Sequence, residues 1–349
     1  MKDTMRAAVK LDEREEFFLQ DVPMPKVGPN DVLLKVTAAG LCGTDVNIRN
    51  NTFMGRHGRV KPPVIPCHEF VGNAVEIGSQ VSKFKVGDRL FTTCAVGCGE
   101  CRNCISGKAA CRHWIHWGID VDGGFAEYVS VHQNALMKVP DFIPDKHAAI
   151  MEIASEAVKA IRTNHILSGS NIAVFGPGSF GLFLLQTMKL TSPVNLIMVG
   201  LPDDTQRLEI AKQLGATHII VDGPEDPVEK IMEITDGEGV DFAVEATGYP
   251  DAFTNAVDCL AGSGVMIMCG SGYGGNEVHF KPWNFVRDSK RIHTVQGFRA
   301  SDYLQMQDLY KSGLLQFDPI ISKVMPLEEV NEACELAKAK KTVKIVLIP

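Results

Sequence analysis

The sequence predicts an α/β protein in two parts, a compact β-rich part followed by a doubly wound parallel sheet, and the texture of its 349 residues carries that prediction. Up to about residue 140, short apolar stretches such as DVLLKVTAAG, FVGNAVEIG, KVGDRLFTT and GGFAEYVSV alternate with polar residues and are cut by Gly and Pro, the pattern of short strands. From about residue 170 the pattern becomes strand, helix, strand: NIAVFG, SFGLFLLQTMKL, NLIMVG, DTQRLEIAKQLGA, HIIVD, PVEKIMEI, VDFAVEAT, DAFTNAVDCLAG and GVMIMCGSG. Apolar β-branched runs alternating with helical patterns predict a parallel sheet covered on both faces. The last fifty or so residues hold two helical stretches, around Asp302 to Lys311 and Leu327 to Lys338, and a final strand VKIVLIP. No repeat of about 20 to 50 residues interrupts this order.

Composition bounds the function. At 45% hydrophobic and 22% charged residues, the chain reads as globular and long enough to bury a sizeable core. A net charge of -7 offers no basic field to a nucleic-acid backbone or an anionic membrane, so neither is expected as a partner. The first residues lead into no apolar run of signal-peptide length and no stretch is long enough to span a bilayer, so a cytoplasmic location is expected. In that compartment thiols stay reduced, and close-spaced cysteines are expected to hold metal rather than disulfides.

The stretch CGECRNCISGKAAC places Cys98, Cys101, Cys104 and Cys111 within fourteen residues. Ferredoxin-type clusters open with the same C-x2-C-x2-C, but there the fourth cysteine follows after three residues and precedes a proline. Here six residues intervene and Arg112 follows, which favours a closed four-thiolate zinc site that organises a loop.

The segment FGPGSFG sets Gly176, Pro177, Gly178, Ser179, Phe180 and Gly181 directly after an apolar strand and at the start of a helix. A tight turn, a backbone bare enough for a pyrophosphate and helix N-terminal N–H groups aimed at the anion are what dinucleotide binding needs. Thr247, at the end of the strand VDFAVEATG, is a further cofactor-binding candidate. The next strand ends in Gly200 and delays its carboxylates to Asp203 and Asp204, either of which can take ribose hydroxyls, while Arg207 is the competing partner for a 2′-phosphate. The balance favours NAD over NADP.

The β-rich part supplies a soft thiolate, an imidazole and carboxylates: Cys42, Thr44 and Asp45 in GLCGTD, His68 and Glu69 in PVIPCHEF, and Glu152 in MEIASEAVKA. A catalytic zinc takes three such ligands and keeps one position open.

In their order along the chain, these motifs resemble the zinc-dependent medium-chain dehydrogenases, the superfamily of alcohol, sorbitol and threonine dehydrogenases. GDRL, GGFAEYV, RLEIAKQLGA, VDFAVEATG and PLEEVNEACELAK fall where that family has similar stretches. The resemblance implies a GroES-like catalytic domain over residues 1–155, a Rossmann domain over 156–296 and a return to the catalytic domain over 297–349. It implies Cys42 and His68 as catalytic-zinc ligands, with Glu69 and Glu152 ligating directly or through water. Thr44 would relay the alcohol proton and Asp45 would orient His68. The implied reaction moves a hydride between a small polar secondary alcohol, such as a polyol or sugar alcohol, and NAD(P), with a threonine-type hydroxy amino acid as the alternative substrate. A non-enzymatic NAD(P)-binding redox sensor is the remote alternative, and a homodimer or homotetramer is the implied assembly.

Several positions depart from the family. Cys67 stands where a glycine is usual, Ile153-Ala154 replaces a proline-containing sequence, Glu156 adds a second carboxylate, and the Cys104-to-Cys111 loop is one residue short. Arg299 in QGFRASDY, and Arg56, His57, Arg59 and Lys61 between two zinc-ligand candidates, offer cationic contacts for a polar or charged substrate.

Overall fold

Strands form where the sequence alternates, and the burial of the longest shows why. In Asp31–Leu41 the apolar residues Val32, Leu34, Val36 and Ala38 sink into the core while Lys35 stays exposed. In this computed structural model, which describes residues 3–55, 58–106, 111–270, 272–273 and 276–349, that strand is central to a seven-stranded sheet. Its order is Ile321–Pro326, Lys344–Ile348, Asp31–Leu41, Phe70–Ile77, Arg89–Thr92 and Leu136–Lys138, with Tyr128–His132 also paired to Asp31–Leu41. Thr4–Val9 and Phe18–Pro23 form a separate antiparallel pair, and a two-stranded ribbon joins Ala95–Val96 to Ile115–His116. Phe17, Phe70, Phe125 and Leu90 fill the core of this part.

The chain divides into two compact units. One comprises Met1–Glu152, Ile321–Ala339 and Lys344–Pro349; the other comprises Ile153–Ile320 and Lys340–Val343. The return to the first unit therefore begins at Ile321 rather than at residue 297. The reason is packing: the helix Ala300–Lys311 buries Tyr303 and Met306, and Phe317 stacks on Phe183 and Tyr310 within the second unit. Gln186 and Gln316 exchange two hydrogen bonds that fix the same segment.

In the second unit six parallel strands follow the order His218–Val221, Asn195–Gly200, Asn171–Phe175, Val240–Glu245, Leu260–Met268, Arg291–Thr294. Their near-continuous burial, as in Ile172, Ala173, Val174 and Phe175, matches a sheet with helices on both faces. The strand order reverses beside Asn171–Phe175, the place where doubly wound sheets open a crevice for a ligand. No helix among the described residues is long and apolar enough to cross a membrane.

Candidate active site and metal centres

Register builds the first centre. Ala39 pairs with Phe70 across the antiparallel strands, and Gly40 N–H donates to Glu69 C=O at 2.6 Å. Cys42, just beyond one strand, thereby meets His68 and Glu69, just before the other. One ligand atom of each of the three lies within 4.8 Å of the others. Cys42 also caps the helix Gly43–Arg49, whose first turn carries Thr44, half-buried, and Asp45, fully buried.

The donor chemistry fits zinc. His68 is buried and its Nδ1 has no hydrogen-bond partner among the described residues. Burial pushes the His68 pKa down, so the ring offers a neutral lone pair. Burial and the neighbouring Glu69 push the Cys42 thiol up, a cost that a metal reverses by holding the thiolate. Glu69 is countered by Lys344 from the C-terminal strand, whose Nζ donates to Oε1 at 2.7 Å and lies 2.6 Å from Oε2 without hydrogen-bond geometry. Burial opposes the Lys344 ammonium, but Glu69 and Cys42 hold its pKa up. A buried charge persists only when paired in this way.

The second centre is the four-cysteine loop. The sulfurs of Cys98, Cys101, Cys104 and Cys111 stand 3.5 to 3.9 Å apart where they make contact, and all lie within 4.8 Å of one another. A tetrahedron of thiolates around zinc has edges of about 3.8 Å, whereas a disulfide brings sulfurs to about 2 Å. The set therefore fits zinc, and its four sulfurs meet although one residue fewer than usual separates Cys104 from Cys111. Backbone N–H groups favour the thiolates: the Cys101 pKa falls to about 6 through Cys104, and the Cys111 pKa is lowered through Cys98 and His113.

In the second unit, Gly176 ends its strand at φ +97°, a conformation open to glycine, and Gly178 caps the helix Ser179–Lys189. A Cβ on Gly181 would collide with the Gly176 carbonyl, so only glycine lets helix and turn pack this closely. Pro177 is buried beside Gly200, while Ser179 and Phe180 are half-buried in the first turn. Thr247, at the end of the neighbouring strand, packs its methyl group against Gly176. The arrangement is a bare turn feeding a helix N-terminus at the reversal of strand order, ready for a pyrophosphate.

The Alcohol dehydrogenase GroES-like domain model matches residues 28–141 and the Zinc-binding dehydrogenase model matches residues 181–312. Proteins named L-threonine 3-dehydrogenase are similar over the whole chain and the whole of their own length: 32% identity for that of Bacillus licheniformis and 34% for that of Caldanaerobacter subterraneus. Among solved structures, a zinc-binding dehydrogenase of Sinorhizobium meliloti bound to NADP superposes with a TM-score of 0.90 at 27% identity, covering 100% of both chains. The 2R,3R-butanediol dehydrogenase of Bacillus subtilis gives 0.83 at 27% identity, covering 99% of both. The chain belongs to the zinc-dependent medium-chain dehydrogenases. It is an enzyme of the zinc-dependent alcohol dehydrogenase family, with zinc and NAD(P) as its cofactors.

Within this dehydrogenase several expected residues sit differently from the sequence reading. Asp45 does not bond the His68 ring; its carboxylate accepts the backbone N–H of Cys42 and of Cys67, each at 2.9 Å. It ties the two ligand-bearing segments together instead, and burial raises its pKa to about 7. Glu152, buried in the first turn of Met151–Asn164, lies outside the three-donor set and takes a 3.7 Å contact from the Cys94 thiol. Cys67 turns its sulfur to the carbonyls of Glu69 and Gly40 and sits at φ +81°, the backbone conformation that favours the family's usual glycine.

On the cofactor side, Asp204 is buried against Arg207 at 3.2 Å and Lys340 at 3.7 Å, and Arg207 donates twice to the Thr342 carbonyl. Asp203, by contrast, is exposed. Arg299 caps the helix Ala300–Lys311 at the surface, and Arg59 and Lys61 are exposed; Arg56 and His57 lie outside the described residues.

Three residues escaped the sequence reading. Glu245, fully buried, accepts hydrogen bonds from Thr247, Gly248 and Tyr273 and so shapes the loop after its strand. Its signal was a carboxylate inside the apolar run FAVEATG. Cys94 reaches Glu152 as described above. His116 packs its ring edge-on against His68, with centroids 5.1 Å apart and planes at 70°; a lone histidine in WIHWG carries no spacing signal.

Proposed function

We propose that the enzyme oxidises a small secondary alcohol bearing a polar substituent on the neighbouring carbon, passing hydride to NAD(P). The observation that carries this reading is the Cys42, His68 and Glu69 set, with His68 and Glu69 buried and His68 Nδ1 unpartnered among the described residues, two positions along the chain from the half-buried Thr44. L-threonine and 2,3-butanediol are the first substrates to test: the curated relatives cited above bear the first name and a solved neighbour the second.

Zinc held by Cys42 and His68, with Glu69 or Glu152 as the carboxylate, supplies a Lewis acid that makes the alcohol more acidic. Thr44 Oγ accepts the alcohol proton and passes it toward solvent. A dinucleotide bound at the glycine turn would supply the hydride acceptor, so that one alcohol and one NAD(P)+ would give a ketone, NAD(P)H and a proton. Asp45 holds the backbones of Cys42 and Cys67 at fixed separation, and Lys344 pairs with Glu69 close to the metal ligands. The turn at Gly176 and Gly178, with the Thr247 loop braced by Glu245, receives the dinucleotide.

The test is turnover. Zinc-replete protein is incubated with NAD or NADP and L-threonine, 2,3-butanediol, sorbitol or ethanol, and nicotinamide absorbance is followed. Oxidation of at least one polar secondary alcohol, lost on chelation and restored by zinc, is expected. Oxidation of none of them would sink the reading.

A further inference from the structure

His116 is held in place from several directions. Its strand pairs with Ala95–Val96, its backbone N–H donates to Asp120 at 3.0 Å, and the next residue, Trp117, donates its backbone N–H to Cys94 C=O and its indole N–H to Ser130 C=O. The ring Nδ1 lies 3.1 Å from the Trp117 carbonyl. A carbonyl only accepts, so Nδ1 carries the proton and Nε2 presents the lone pair of the neutral ring. Among the described residues no donor meets that Nε2. The ring touches His68, a proposed metal ligand, and Trp114 lies 6.2 Å beyond it. The ring is half-buried, so this fixed acceptor beside a proposed metal ligand is open to water or to a bound molecule.

We propose that His116 determines specificity: its Nε2 accepts a hydrogen bond from a hydroxyl or ammonium on the carbon next to the reacting carbinol. The inference rests on the function proposed above and narrows its substrate class to vicinal diols and 2-amino alcohols. Because the imidazole flanks His68, a molecule held there through its reacting oxygen would have the substituent on the adjacent carbon within reach of this ring. A neutral acceptor welcomes a hydroxyl or ammonium there and gains nothing from a hydrogen or a methyl group. Sites built to bond a substrate group discriminate against the analogue lacking it because their own polar atom is left unpaired.

The test uses two substrate pairs that differ in the adjacent donor, 2,3-butanediol against 2-butanol and L-threonine against 3-hydroxybutyrate, on zinc-replete enzyme at pH 8. His116→Phe keeps a ring against His68 and removes the acceptor; His116→Gln keeps an acceptor. The parent is expected to favour the donor-bearing member of at least one pair. His116→Phe is expected to lower kcat/KM for that member by about tenfold, mainly through KM, with less than a twofold change for its partner, and His116→Gln to recover much of the loss. A cobalt-substituted protein, titrated without dinucleotide and followed in its visible band, reads binding alone and should show the same loss of diol affinity in His116→Phe.

Equal losses for both members of a pair, unchanged selectivity in His116→Phe, or zinc lost from His116→Gln would each overturn the inference, the last by making His116 a metal-holding residue. Failure of the parent to oxidise any alcohol would instead overturn the reading of the reaction. The cobalt titration would still decide whether His116 selects the ligand.

Discussion

At the scale of single residues, the proton route rests on Thr44, which lies in the first turn of the helix that Cys42 caps. Thr44→Ala is expected to keep its zinc and its dinucleotide affinity and lose roughly 10²- to 10⁴-fold in kcat, while Thr44→Ser retains much of the rate; full activity in Thr44→Ala would mean another proton route. Lys344 is the stability counterpart. Its ammonium and the Glu69 carboxylate are both almost wholly buried, so Lys344→Met leaves a buried carboxylate alone and should cost about 3–5 kcal/mol in urea unfolding of metal-free protein. A loss under about 1 kcal/mol would show that Glu69 finds another partner.

Glu156 gives a pH signature. Burial pushes its carboxyl up to about 7, although Gly297 N–H donates to it. Its folded pKa lies above the unfolded one, so between about pH 4.5 and 7 the unfolded chain sheds the proton first and stability falls as pH rises. Glu156→Gln, whose amide oxygen can still accept from Gly297, should match the parent near pH 4 and exceed it in thermal midpoint at pH 8. Equal midpoints at both pH values would contradict the burial cost.

At the scale of elements, Cys98, Cys101, Cys104 and Cys111 offer four sulfurs that can close a metal's coordination shell, while the Cys42–His68–Glu69 set lies where two strands end together. The two sets should therefore load separately. Parent protein is expected to hold about two zinc equivalents per chain, and Cys98→Ser with Cys101→Ser to hold about one, with faster proteolysis within the loop. Loss of both equivalents would mean that the four-cysteine set also supports the first centre. The sheet of the second unit raises a different matter. The apolar strand Leu260–Met268 is interior, paired on both sides, and the edge belongs to Arg291–Thr294, which is largely exposed. The sheet therefore ends in a strand that is short and polar, next to a strand packed on by the helix Pro282–Asp288.

At the scale of the whole molecule, that helix exposes Trp283 and Val286 at 67% and 72%. Exposed large apolar residues one helical turn apart, close to an open sheet edge, are the features that a second copy covers. We propose that the chain associates as a homodimer or homotetramer through this face. Light scattering should give a mass of two or four chains for the parent and a smaller one for Trp283→Asp; a monomeric parent at working concentration would refute the proposal.

What the sequence determined by itself was chemistry confined to short segments: four thiols at zinc spacing, glycines that permit one turn, and strand patterns that name a parallel sheet. Those features are local, so periodicity and residue type suffice to read them. Tertiary structure decided which groups face one another. Lys344 meets Glu69 across 275 positions because the last strand pairs with Asp31–Leu41. His116 reaches His68 because a two-residue ribbon folds it back, and Asp45 turns to two backbone amides rather than to an imidazole. Asp204, one of two ribose-ligand candidates in the sequence, pairs with Arg207 and Lys340 because residues 340–343 pack with the second unit. Each of these depends on strand register and on where a distant segment returns, and in each a buried charge or donor takes the partner that folding brings within reach, which no local pattern specifies.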